Sequence, residues 1–152
     1  MSTQDARRSD GLAGPTMVLA QQMDAPAAEV YAMWLDRDRL ATWWWPAIPD
    51  TTYAVEPSVG GTFHVASEVA DLGASGRFLE LVEPERIEMT WQWETGEGQE
   101  QDDHITIELR EHSHGTLLVL THRVADPEGD TEMREGWVGA LTSLASKVKA
   151  GS

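Results

Sequence analysis

At 152 residues, 41% of them hydrophobic and 24% charged, the chain has the length of one domain with a single core and lacks the low hydrophobicity of a disordered protein. Its 26 acidic residues against 11 basic ones give a formal charge of −15, a field that repels phosphate backbones and anionic headgroups and argues against nucleic acid as a partner. The absence of cysteine removes disulfides, thiol nucleophiles and thiolate-bound metals, and no apolar run suits a signal peptide or membrane span, so the cytoplasm is the expected location and membrane insertion is not expected.

Residues 1–15 are polar with Gly and Pro and read as a tail, leaving 16–150 as the domain. TMVLAQQM (16–23) reads as a strand, and Asp24 followed by Pro26 reads as the N-cap and early proline of a helix. Val30, Met33 and Trp34 then recur at helical spacing up to Leu35, and a second short helix is expected over 37–45, stopped by Pro46.

Within that second helix lies ATWWWP (41–46). Neighbours on a helix are offset by about 100°, so Trp43, Trp44 and Trp45 cannot all face one core, and a strand would send Trp44 to the face opposite the other two. At least one indole must meet solvent, another segment or a ligand.

Beyond Thr52 the pattern changes to short alternating runs separated by turn residues, with strands expected near 53–56, 62–69, 76–83, 86–94, 104–111 and 116–124. Strand 86–94 sets Ile87, Met89, Trp91 and Trp93 against Glu88, Thr90, Gln92 and Glu94; strand 104–111 sets Ile105, Ile107 and Leu109 against Thr106, Glu108 and Arg110. TGEGQEQDD between them is expected to be a solvent-facing loop, and Asp71, Gly73 and Gly76 read as hairpin residues. From about 130 to 149, Met133, Trp137, Leu141, Leu144 and Val148 mark one apolar stripe of a long helix.

The order is a strand, two short helices, six strands and a long helix. The pieces DAPAAEVYAMWLDRDRLATWWWP, VGGTFHV, LELVEPERIEMTWQWE, GTLLVLTHRV and REGWVGALTSLA resemble the family related to the C-terminal domain of the Hsp90 ATPase activator, within the START/Bet v 1-like superfamily. The resemblance spans about 16–148 and implies an α+β helix-grip fold: a curved seven-stranded antiparallel sheet wrapped around the C-terminal helix, with a cavity between them that often holds an apolar small molecule. It matches Trp43 and Trp44 to a tryptophan pair that the family usually follows with glycine. Trp45 stands in the glycine's place and is expected to be the partly exposed ring; which of the three faces the cavity is open.

Two tryptophans on helix stripes, Trp34 and Trp137, read first as core, whereas Trp91 and Trp93 fall on the inner face of the sheet and are candidates for lining the cavity. The candidate ligand-binding set is Trp43, Trp44, Phe63, Met89, Trp91 and Trp93, with Ile107, Leu118, Leu120, His122, Trp137 and Leu141 facing them. His122 shares register with Leu118 and Leu120, and the resemblance turns it inward. It is either a candidate acid/base or a histidine satisfied by a neighbour near the strand end. His112 and His114 flank Ser113 and suggest a metal, but two histidines leave a four-coordinate site half filled, so a solvated turn is expected and no metal. No phosphate-binding glycine motif occurs, and no cofactor is expected.

The expected function is binding of an apolar, aromatic or polyketide-like molecule, as a carrier, sequestering or self-resistance protein. A cyclase or dehydratase using the same cavity is the alternative, with His122, Ser67, Arg77 and Tyr53 as its few inward polar candidates. A chaperone-interacting role is the third.

Overall fold

The computed structural model describes residues 15–94, 102–125 and 134–151. The expected tail at 1–15 falls outside them apart from Pro15, as do Met133 and the first seven residues of the acidic segment. In chain order the elements are β1 (Thr16–Met23), α1 (Ala27–Leu35), α2 (Arg37–Trp43), β2 (Thr52–Val55), β3 (Thr62–Ser67), β4 (Leu72–Val82), β5 (Arg86–Glu94), β6 (Asp103–His112), β7 (Gly115–Arg123) and α3 (Arg134–Gly151).

Alternation along the strands joins them into one antiparallel seven-stranded sheet, ordered β1-β7-β6-β5-β4-β3-β2. A sheet with one apolar face must cover it. The curved sheet does so with α3, whose Trp137, Leu141, Leu144 and Val148 are buried against Phe63, Ile87, Trp91, Ile105, Leu118 and their neighbours. Each such side chain contributes about 2 kcal/mol through the apolar area it removes from water. This is the helix-grip architecture.

Local chemistry moved several boundaries. Pro26, not Asp24, occupies the N-cap position of α1, in an extended conformation and without a side-chain cap. Asp36 ends α1 and also starts α2, its carboxylate accepting from the backbone N–H of Asp38 (2.9 Å) and Arg39 (3.3 Å). α2 stops at Trp43, before Pro46 could act, because Trp44 is already extended and Trp45 lies at φ 50°.

β4 begins at Leu72, so Gly73 and Gly76 are strand residues rather than hairpin residues; Asp71, at φ 56°, is the turn. Leu79 is an extra residue in β4: Phe78 pairs with Met89 and Glu80 with Glu88, so the pairing advances two positions on β4 against one on β5. The bulge changes which parity faces inward, from Ala74 and Phe78 before it to Leu81 after it, and leaves Leu79 exposed.

Ser113 and His114, at φ 51° and 67°, are the two central residues of the β6–β7 hairpin, closed by the His112–Gly115 pair. His112 Nδ1 lies 2.9 Å from Gln22 Oε1, so this histidine ties the hairpin to the end of β1. No helix of the described residues is long and apolar enough to cross a membrane.

Candidate functional site: a tryptophan cluster between sheet and helix

Three backbone conformations in succession resolve the problem posed by ATWWWP. Trp43 is helical, Trp44 extended and Trp45 left-handed, so neither helical nor strand geometry dictates where the rings point. Trp43 is fully buried and structural: its Nε1 donates to the Met33 carbonyl (2.9 Å), and its own carbonyl accepts from Ser143 Oγ on α3 (2.9 Å). Trp44, also buried, reaches between the sheet and α3. Its ring centroid lies 5.5 Å from Trp137, 5.8 Å from Trp91 and 6.5 Å from both Phe63 and Trp93. Trp45, half-buried as expected, packs its ring 5.6 Å from that of Trp44.

The sheet contributes the opposite wall. Trp91 and Trp93 sit two residues apart on β5, with centroids 5.3 Å apart and the rings nearly perpendicular. Phe63 of β3 and Phe78 of β4 extend the cluster, and Met89, Ile107, Leu118, Leu120 and Leu141 are all buried around it. The structure therefore brings the predicted set into one interior, with Trp34 joining through edge contact to Trp43 and a tilted contact to Trp137. Phe78 is an aromatic member that the sequence reading missed, since its parity becomes readable only once the bulge at Leu79 is known.

Two nitrogens of His122 decide its role. The residue is completely buried; Trp137 Nε1 donates to His122 Nδ1 (3.0 Å), and His122 Nε2 lies 2.7 Å from Asp103 Oδ2. An indole can only donate, so Nδ1 carries no hydrogen and the proton sits on Nε2, directed at the carboxylate. The remaining oxygen, Asp103 Oδ1, accepts from the backbone N–H of Ala125 (2.9 Å). The relay Trp137–His122–Asp103 thus joins α3, β7 and β6, and neither imidazole nitrogen is left over for a substrate.

Asp103 overturns an expectation. The sequence places it in a solvent-facing acidic loop; Asp102 is exposed, but Asp103 is 5% exposed and is the first residue of β6. Extending the inward parity of Ile105, Ile107 and Leu109 back by two positions would have found it.

The other polar candidates are committed elsewhere or face outward. Tyr53 donates its hydroxyl to the Trp44 carbonyl at the rim, and burial raises its pKa, so it remains a phenol. Ser67, also buried, donates to Asp50 Oδ1 (2.6 Å), and Asp50 Oδ2 accepts from the Val69 N–H. These two bonds hold the Asp50 carboxyl below the usual carboxylate range. Arg77 is exposed. Among the described residues no His, Asp or Glu cluster could hold a metal ion.

A seven-stranded sheet gripping a long helix over an aromatic interior defines a helix-grip protein. The chain matches the family model described as Activator of Hsp90 ATPase homolog 1-like protein over residues 24–149, and it belongs to that family. Among solved structures it is similar to protein CV1439 from Chromobacterium violaceum, at 27% identity and a TM-score of 0.72 over 88% of this chain and 96% of that one. It is similar to CalU16 from Micromonospora echinospora, at 27% identity and a TM-score of 0.68 over 88% of this chain and 75% of the other. DynU16, a protein of the dynemicin biosynthetic locus, shares the fold at 16% identity and a TM-score of 0.73, over 90% of this chain and 48% of its own. No curated protein matches the chain.

Proposed function

We propose that this protein binds an apolar, ring-containing small molecule between the sheet and α3, and holds it rather than converting it, as a carrier, sequestering or self-resistance protein. The observation that carries this reading is the convergence of Trp44, Trp91, Trp93, Trp137 and Phe63 on one another across the sheet–helix interior. Indoles in this number supply broad, rigid surface for flat ligands. Against a catalytic role stands the engagement of both His122 nitrogens, together with an outward Arg77 and a Ser67 already bonded to Asp50. The flat indole surfaces make polycyclic aromatic compounds the first ligand class to try. The cysteine-free composition suits the cytoplasm, where we place the protein.

Tryptophan fluorescence and calorimetric titration of the whole chain with fatty acids, sterols and polycyclic aromatic compounds tests the reading. The expected result is saturable 1:1 quenching by the polycyclic class, weakened at least about tenfold in Trp91→Ala, whose lost ring removes a wall of the site. Absence of saturable change with every class would overturn it.

A further inference from the structure

Buried indole nitrogens in this interior fall into two groups. Trp43 Nε1 and Trp137 Nε1 donate to the Met33 carbonyl and to His122 Nδ1. Trp44 and Trp91, 1% and 0% exposed with centroids 5.8 Å apart, have no acceptor for Nε1 among the described residues, and Trp34 Nε1 is in the same state. Native proteins leave few buried donors unpaired, because each forfeits the hydrogen bond it would make in water, and several in one cluster call for a cause.

The surrounding polar groups indicate what would satisfy them. His122 uses both nitrogens and Asp103 both oxygens; Tyr53, Ser67 and Thr116 each donate to an acceptor of the protein. None of these groups accepts from Trp44 or Trp91 Nε1, so what these two indoles lack is an acceptor turned toward them. The buried residues also include no Lys or Arg among the described ones, so a carboxylate or phosphate would enter without a counter-charge, in a chain whose formal charge is already −15. A hydroxyl would meet the indole donors but bring a hydrogen of its own to place. A ketone or quinone oxygen accepts, carries no charge and donates nothing.

We propose that the molecule held here is a flat, neutral ring compound bearing a carbonyl acceptor, and that the indole N–H groups of Trp44 and Trp91 donate to it. This rests on the reading that the sheet–helix interior is a ligand site, and narrows it to a chemical class.

Fluorenone and fluorene have nearly the same shape and differ in a carbonyl against a methylene, which makes them the probe pair. The whole chain, labelled with ¹⁵N at its indoles, is titrated with each by NMR. Fluorenone is expected to bind about tenfold more tightly, the worth of one or two hydrogen bonds to buried donors. The indole N–H signals of Trp44 and Trp91 should move downfield with fluorenone alone, while those of Trp43 and Trp137 keep their bonded positions. Trp91→Phe, which retains a ring but no N–H, should lose much of the preference and little of the fluorene affinity. Equal affinities without a downfield shift would overturn the carbonyl proposal and leave the apolar site standing; failure of both probes to bind would overturn the carbonyl proposal, and the apolar site falls with it only if the fatty acids, sterols and polycyclic compounds of the titration above also fail. The central comparison uses the unaltered chain and so does not depend on any variant folding.

Discussion

Trp45 holds a bulky side chain at φ 50°, where the Cβ of an L-residue is crowded and glycine is not. The cost is about 1–2 kcal/mol, and it falls at the position where the resembling family usually has glycine. In return the indole packs against Trp44 at the rim of the cluster. Asp103 is the opposite case, an acidic residue with every oxygen matched. Asp103→Ala should destabilise the protein by about 3 kcal/mol in urea unfolding, because it leaves the His122 Nε2–H and the Ala125 N–H buried without acceptors. A change below about 1 kcal/mol would mean that the relay is not the fastening between α3 and the sheet described above. The family resemblance turned His122 inward, in register with Leu118 and Leu120. Its partners were not legible, since Trp137 lies fifteen residues further along and Asp103 is disguised by its acidic neighbours.

Among the elements, β4 and α3 use glycine in contrasting ways. At Gly76 an added Cβ would stand 2.1 Å from the Thr90 carbonyl oxygen of β5, a backbone atom that cannot yield without disturbing the ladder. At Gly136 and Gly139 of α3 nothing lies within 4 Å. Gly76→Ala is therefore expected to cost about 2–3 kcal/mol, whereas Gly139→Ala should stabilise by about 0.5–1 kcal/mol through helix propensity. Thermal melts of the two variants beside the parent check both signs at once. The outer face of β4, β5 and β6 carries an ion-pair ladder in which Arg86 reaches Glu80 and Glu108 at 2.9 Å and Glu88 at 3.5 Å, and His104 Nε2 lies 2.7 Å from Glu88. Alternation predicted Glu88 and Glu108 as outward, and so they are. Their shared partner follows from strand pairing, which sets Arg86 opposite Glu108.

For the whole molecule, a formal charge of −15 implies self-repulsion that salt should screen. Raising NaCl from about 20 mM to about 500 mM is expected to increase the melting temperature by a few degrees; a fall would show that the Arg86 ladder outweighs the net repulsion. Acid acts against this gain. Asp50 and Glu56 have folded-state pKa values held down by hydrogen bonds from Ser67 and Val69, and from Thr62. Their contribution is complete above the ordinary carboxylate pKa near 4 and disappears as pH falls through the lowered folded values, so it is lost only below about pH 4.

The periods of the apolar residues were enough to mark nearly every element and the inward face of β5, β6 and α3, because burial selects side chains at spacings of two or 3.6 wherever the backbone is regular; the inward face of β7 came from the family resemblance. Legibility ended where the backbone becomes irregular or a partner is distant in sequence. The bulge at Leu79 changes parity without a residue type to announce it, and Trp43, Trp44 and Trp45 take three different conformations that follow no single period. The Trp137–His122–Asp103 relay and the unpaired donors of Trp44 and Trp91 likewise depend on which chain segments meet in space. Periodicity reports which way a side chain faces, but hydrogen-bond satisfaction depends on what stands opposite it, and that is settled only when the sheet closes on its helix.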